Sequence, residues 1–483
     1  MPQPQFFAGY PAPFLLDAPP PARGKRKQQL LWGDHVTLLG EESGDWVKIR
    51  GRNSIGWIQR SQLQQERLLE INWVDVGQGD GIFIVTPGDE RILIDAGQGD
   101  NMHRFLRWRF NLRNHPDWTI GIESAVISHP DGDHYGGFAD LFASPNFRFG
   151  SVYHNGIVER SKKGIGPIED GFLTDVIDDE RDLRARLADA AFVGKSEYPK
   201  VLKTAAESGR VGRFETIDAS DAFLTGYESD KELTIEVLAP VREGNRLKYF
   251  GSKGETKNGH SIVLRMRYRD VRILLGGDLN SRAENYLLKH YTGIDPKTAN
   301  EQERQTIREQ AHAVFGADIA KSCHHGSSDF TDLFIQVIDA VATVISSGDN
   351  EPHAHPRPDA LGAIGKHGRG GRPLIFSTEL ARSTKQDSAR LTSMQSEIVV
   401  KSLLAASAES TTTREQLIGD IERLQDRTVA VFGMINLRTD GDRVLLAYKL
   451  EQPGSGGREF DVHLLEKGDD GVLQYVGGPS GRD

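Results

Sequence analysis

Four side chains able to bind a divalent metal, His129, Asp131, Asp133 and His134, fall within six consecutive residues. They follow the apolar, strand-like run Glu123 to Ile127 and precede the pair Gly136-Gly137. A sharp turn at a strand end can aim all four into one pocket, whereas a continuous helix would scatter them around its circumference. Mixed imidazole and carboxylate donors suit one or two divalent ions, zinc favouring imidazole and manganese tolerating more carboxylate. The bland reading, a polar surface loop, is weakened by the density of ligands and by similar strand ends downstream. Val271 to Leu275 runs into Gly276-Gly277-Asp278, and Ala317 to Ser322 runs into Cys323-His324-His325-Gly326-Ser327-Ser328. Of the adjacent histidines, one is assigned to metal and the other to substrate, without deciding which. Arg91 to Ile94 ends in Asp95-Ala96-Gly97, and Asp95 is read as an acceptor that orients a ligand histidine. His154, closing the strand Ser151 to His154, is either a further ligand or a hydrogen-bonded structural residue.

The elements that must position these groups indicate an α/β protein with accessory parts. The 483 residues are 37% hydrophobic and 27% charged and include 52 glycines, a loop-rich globular composition. Residues 1–24 read as a Pro-rich, extended or disordered leader. Residues 25–66 carry short alternating runs between turn residues, which predict a small all-β barrel. Residues 67–400 hold the strand ends described above and a charged, helix-prone insertion at about 156–230. Residues 401–483 read as an extension with a helix over Arg414 to Asp426 and a hairpin around Thr439 to Asp442 that completes the second sheet. One cysteine, Cys323, excludes an internal disulfide framework and a cysteine-only zinc site and agrees with a reducing compartment. There is no signal-peptide pattern and no run of about eighteen apolar residues, so a cytoplasmic protein without membrane contact is expected. The net charge of −10 argues against a general nucleic-acid coat but not against a nuclease, since a bound metal cancels carboxylate charge. Basic clusters lie at Arg23 to Lys27, at Arg104, Arg107, Arg109 and Arg113, and at Arg160 to Lys163.

The motifs Asp75-Val-Gly-Gln-Gly-Asp80, Leu93-Ile-Asp95-Ala-Gly97, Ser128-His-Pro-Asp-x-Asp-His-x-Gly-Gly137, Asn258-x-x-Ser261-x-Val-Leu264, Leu274-Leu-Gly-Gly-Asp278 and His324-His-Gly-Ser327, in that order, resemble the metallo-β-lactamase superfamily. Within it they are most like the hydrolase domain of the ComEC-type DNA-uptake proteins, and residues 25–66 resemble the bacterial SH3-like domain. The resemblance implies an αββα sandwich with metal at one edge. It also implies two divalent ions, zinc or manganese with magnesium possible. Asp278 would bridge them, Asp133 and His134 with His324 or His325 would hold one, and His129 with Asp131, helped by His154, the other. Asp133 is alternatively the base that orients a water. Lys321, Ser327, Ser328, Asn258 and His355 become phosphate-contacting or proton-donating groups. Asp131 stands where the wider superfamily has a second histidine, a change shared with the ComEC-type branch that favours harder metals. The expected function is a metal-dependent phosphodiesterase, foremost a nuclease acting on DNA, with a role in defence against foreign DNA. The rivals are a hydrolase of a small phosphoester, cyclic nucleotide or lactone, and a metal-binding sensor or scaffold that recruits a protein partner through the SH3-like module.

Overall fold

The computed structural model describes residues 5–160, 164–348, 353–378 and 433–478. Its centre is two β-sheets packed face to face in a mixed α/β architecture. The larger has ten strands and begins at an edge with Val211–Thr216, followed by Phe147–His154, Ile120–Ile127, Arg91–Ala96, Gly81–Val85 and Leu69–Trp73. It continues through Ile435–Thr439, Val444–Gly454, Arg458–Lys467 and Leu473–Gly477. The smaller has six strands in the order Leu233–Ala239, Val263–Tyr268, Val271–Leu275, Ile319–Lys321, Ala342–Ile345 and Leu374–Ser377.

Alternation along each strand builds the layers. Leu69, Ile71 and Trp73 point into a central cluster shared with Ile235, Val237, Leu264, Ile273 and Val344 of the other sheet. The opposite face of the larger sheet packs Phe83, Leu93 and Ile122 on the helices Asn101–Arg109, Phe138–Ala143 and Glu197–Glu207. The smaller sheet packs Val263, Leu274 and Ala320 on Ser281–Thr292, Glu301–Phe315 and Asp332–Ile338. The order is therefore helices, sheet, sheet, helices. Arg91–Ala96 and Ile120–Ile127 run parallel, as do Val271–Leu275, Ile319–Lys321 and Ala342–Ile345. Parallel strands bring their carboxyl ends, and the loops that follow them, to one side of each sheet.

Four expectations about organisation are corrected. Of the expected leader 1–24, residues 5–24 do not stand apart, because Phe6–Ala8 and Phe14–Leu16 are strands of a seven-stranded N-terminal sheet. Their apolar side chains, Phe7, Ala8 and Leu15, are buried while the prolines lie between strands. That antiparallel sheet runs from Arg26–Gln29 at one edge to Leu63–Gln64 at the other, and the two edges are not paired with each other, so it is not a closed barrel. The segment 156–230 is not wholly an insertion, since Val211–Thr216 is the edge strand of the larger sheet. The C-terminal hairpin extends the larger sheet, through pairing of Ile435–Thr439 with Leu69–Trp73, and not the second. The expected helix Arg414 to Asp426 and residues 161–163 of one basic cluster lie outside the described residues. Among the described residues no helix is long and apolar enough to cross a membrane.

Candidate metal centre

Five loops converge where the two sheets open. From the larger sheet come the turn 77–80 before Gly81–Val85, the end of Arg91–Ala96 at Asp95, and the loop after Ile120–Ile127. From the smaller sheet come Asp278 after Val271–Leu275 and His325 after Ile319–Lys321. Donor atoms of His129, His134 and Asp278 lie within 4.8 Å of one another, as do those of Asp133, His134 and His325, and of Asp80, Asp278 and His325.

Each histidine is held by one ring nitrogen and presents the other. His134 Nδ1 lies 2.7 Å from Asp95 Oδ2, which also accepts from Ser128 Oγ at 2.6 Å. His325 Nδ1 donates to the Ser346 carbonyl at 3.0 Å. His129 Nδ1 faces the hydroxyls of Ser128 at 3.0 Å and Ser261 at 3.2 Å. A carboxylate or carbonyl on Nδ1 places the proton there and leaves the Nε2 lone pair facing inward, the usual support of a ligand histidine. The Nε2 atoms of all three, and Asp278 Oδ1, are buried without a well-directed hydrogen bond, although Asp278 Oδ2 stands 3.2 Å from His134 Nε2 and 3.1 Å from His325 Nε2. Buried polar atoms are rarely left so, and four of them converging on one space fit a cation.

The charges agree. Burial raises the Asp80 carboxyl, but Lys321 and His325 outweigh it and hold the group at about 2. Burial likewise opposes ionisation of Asp278, and His325 with His134 bring it well below the carboxylate range. Burial and the neighbouring His134 keep His129 neutral. Burial lowers His325, yet Asp278 and Asp80 lift it to about 10, so an incoming ion must displace its proton.

The chain is 22% identical over 315 residues to ComE operon protein 3 of Bacillus subtilis (strain 168), covering 62% of this chain and 31% of that protein. Over 100 residues it is 32% identical to the lactamase-like protein ptaB of Pestalotiopsis fici, covering 20% and 29%. Over 111 residues it is 31% identical to an atrochrysone carboxyl ACP thioesterase of Emericella nidulans, covering 22% and 32%. The core resembles the ComEC-type branch of the metallo-β-lactamase superfamily. The chain spans about a third of the length of the curated relatives it matches. No protein-family profile matches it. Similar solved structures include a CmlA β-hydroxylase variant, at 10% identity over 66% of this chain and 54% of that one with a TM-score of 0.32. Another is the metallo-β-lactamase SMB-1, at 14% identity over 53% and 76% with a TM-score of 0.25.

Within the ComEC-like core, the structure sorts the residues expected from sequence. It brings together His129, Asp133, His134, Asp278 and His325, with Asp95 behind His134. His154 is not among them. It sits beside the site at the end of the next strand, where its Nδ1 accepts from the Gly156 N–H at 3.1 Å and burial takes it down to about 3. Lys321 is fully buried, donates to the Gly277 carbonyl at 2.8 Å and lies 2.5 Å from Asp80 and 3.5 Å from Asp278, so it braces the loops and does not reach solvent. His324 lies outside the ligand groups. Its Nε2 is 3.3 Å from the Asn258 amide, and its ring centroid is 5.8 Å from that of His355. Asp131 is 3.8 Å from His129 Nε2 but is ion-paired with Lys257. Ser327 Oγ accepts from Asp329 N–H at 3.2 Å within its own turn, and Ser328 Oγ donates to Asp359 of the helix Pro358–His367 at 3.0 Å, so both hydroxyls are engaged in holding the loop. Sequence reasoning missed Asp80 and Lys257. The Gly-Gln-Gly-Asp turn was a signal for Asp80, while Lys257 had none beyond its place beside Asn258.

Proposed function

We propose that this chain is a metal-dependent phosphodiesterase, foremost a nuclease acting on DNA. The observation that carries the reading is the convergence of three buried imidazole nitrogens on the Asp278 carboxylate between the two sheets. His129, His134 and Asp278 would hold one ion and Asp133 with His325 a second, Asp278 lying between them. Divalent ions bound there supply Lewis acidity, lowering the pKa of a water and neutralising phosphate charge. Asp133, with 21% of its side chain exposed and Gln78 donating to it at 2.9 Å, faces the opening. Burial opposes its ionisation, but His134 and His325 keep it charged, so it can orient a water and accept its proton. His324 and His355 stand beside His325, where they can donate to phosphate oxygens, while the Asn258 amide N–H is turned to Asp131 at 2.8 Å. The buried Lys321 keeps Asp80 and Asp278 from repelling each other until cations arrive. The phosphodiester class rests on the resemblance to the ComEC-type branch.

The test is incubation of purified protein with linear, circular and single-stranded DNA in Mn²⁺, Mg²⁺ or Zn²⁺. Metal-dependent cleavage that Asp278→Ala abolishes and Asp133→Ala reduces by at least about a hundredfold is expected. No cleavage by the unsubstituted chain, or full cleavage by Asp133→Ala, would sink the proposal. A second reading, hydrolysis of an acyl thioester, is favoured by the match to a thioesterase. An acyl thioester substrate in the same assay separates the two.

A further inference from the structure

A polar cleft lies away from the metal centre, under the N-terminal sheet. In the larger sheet Glu70 pairs with Arg438 and Asn72 with Asn436. Their neighbours Leu69, Ile71, Ile435 and Leu437 fill the central cluster, so these four point to the opposite face. Elsewhere that face packs apolar side chains on helices, but here it is a buried polar floor. Above it lies a cleft of about 780 Å³, walled by Arg52 and Arg67 on one side and by Arg107, Trp108 and Arg109 of the helix Asn101–Arg109 on the other.

Seven cationic side chains and two carboxylates, Asp34 and Glu70, line this space. Glu70 is shared by Arg109 at 2.8 Å and Arg438 at 3.1 Å, and Asp34 is taken by Arg52 at 3.0 Å. Arg67 and Lys449 find Asp89 and Glu459 at 3.2 and 3.3 Å, and Glu70 alone answers two guanidinium groups, so among the described ion pairs of the lining positive charge outweighs negative. Arg438 is only 2% exposed, and its Nε has no hydrogen-bond partner. Trp108, on a helix otherwise rich in arginine, is 39% exposed. Guanidinium groups match phosphate oxygens two at a time, and an exposed indole beside them offers a stacking face. The volume is that of a small-molecule site.

We infer that this cleft binds the phosphate and base of a nucleotide, as a site separate from the metal centre. The nucleotide is either free or the 5′-phosphorylated end of a DNA strand. Calorimetric titration of the full chain with ATP, dAMP, inorganic phosphate and short oligonucleotides with and without a 5′-phosphate tests it. Saturable binding is expected for ATP or dAMP, or for the 5′-phosphorylated strand over its 5′-hydroxyl counterpart; the first assigns the free nucleotide and the second the strand end. Arg107→Glu and Trp108→Ala should each weaken that binding at least about tenfold without shifting the melting temperature, and Asp278→Ala should leave it unchanged. Arg107 and Trp108 are chosen because Arg438 and Glu70 also hold the fold together. The inference is overturned by no saturable binding of any nucleotide probe, by undiminished binding in both cleft variants, by loss of binding in Asp278→Ala, or by equal binding of 5′-phosphorylated and 5′-hydroxyl strands with none of the mononucleotides.

Discussion

His134 belongs to three of the overlapping donor groups, one of them with Asp80 and Asp95, and its proton position is set by Asp95. Asp95 has a left-handed backbone, φ +55°, which asparagine tolerates better than most residues. Asp95→Asn therefore removes charge while sparing the turn, and metal affinity measured by chelator competition should fall about 10- to 100-fold. The adjacent histidines should separate just as cleanly. His325→Ala should lower the number of ions bound, read by elemental analysis, whereas His324→Ala should leave that number intact and reduce turnover. A third residue acts on stability. Glu284 is fully buried; that burial raises its carboxyl to about 8, the Thr331 N–H at 2.6 Å offsetting only part of it, and Asp329 adding repulsion. Its folded pKa lies above the unfolded value, so its penalty is absent below about pH 4.5 and grows until about pH 8. Compared with Glu284→Gln, the unsubstituted chain should lose on the order of 4 kcal/mol across that interval, measured by denaturant unfolding at several pH values. The ligand residues were legible in sequence because each lies in a loop that follows an apolar run and contains glycine. His154 follows the same grammar, yet its ring is spent on the Gly156 turn, a contact that residue types do not encode.

At the level of elements, the centre depends on how closely the turn 77–80 approaches the metal loop. Gly79 has φ +102°, and a Cβ there would collide with the Asp133 carbonyl. Gly79→Ala should move Asp80 and Asp133 apart, lowering metal affinity by at least about tenfold and stability by about 1–3 kcal/mol, read by chelator competition and thermal melting. The strands that carry ligands were legible from period and turn residues. Some that only complete a sheet were not. Val211–Thr216 shows a single fully buried apolar side chain, Phe214, and Phe6–Ala8 and Phe14–Leu16 are too short to stand out between prolines. Such segments become strands because a neighbour offers an unpaired edge, which is a tertiary fact.

For the molecule as a whole, the donors are divided between two sheets that meet through the central cluster and through polar contacts such as Lys467 with Asp270. The larger sheet contributes Asp80, His129, Asp133 and His134, and the smaller contributes Asp278 and His325. The helices, sheet, sheet, helices order could be anticipated from motif order, but the docking of the N-terminal sheet could not, since it rests on pairs such as Arg52 with Asp34 and the Arg52 guanidinium over Phe460 at 4.5 Å. A chain ending before Ile435 would leave Leu69–Trp73 as a bare edge of five buried residues, and size-exclusion chromatography should show it self-associated and without metal. The same pairing sets an order of assembly. Because Ile71 lies opposite Leu437, the larger sheet cannot be completed until a strand far along the chain has been made. Pairing over so long a stretch of chain forms slowly, so the sheet that carries His129, Asp133 and His134 should be slow to gain its final order.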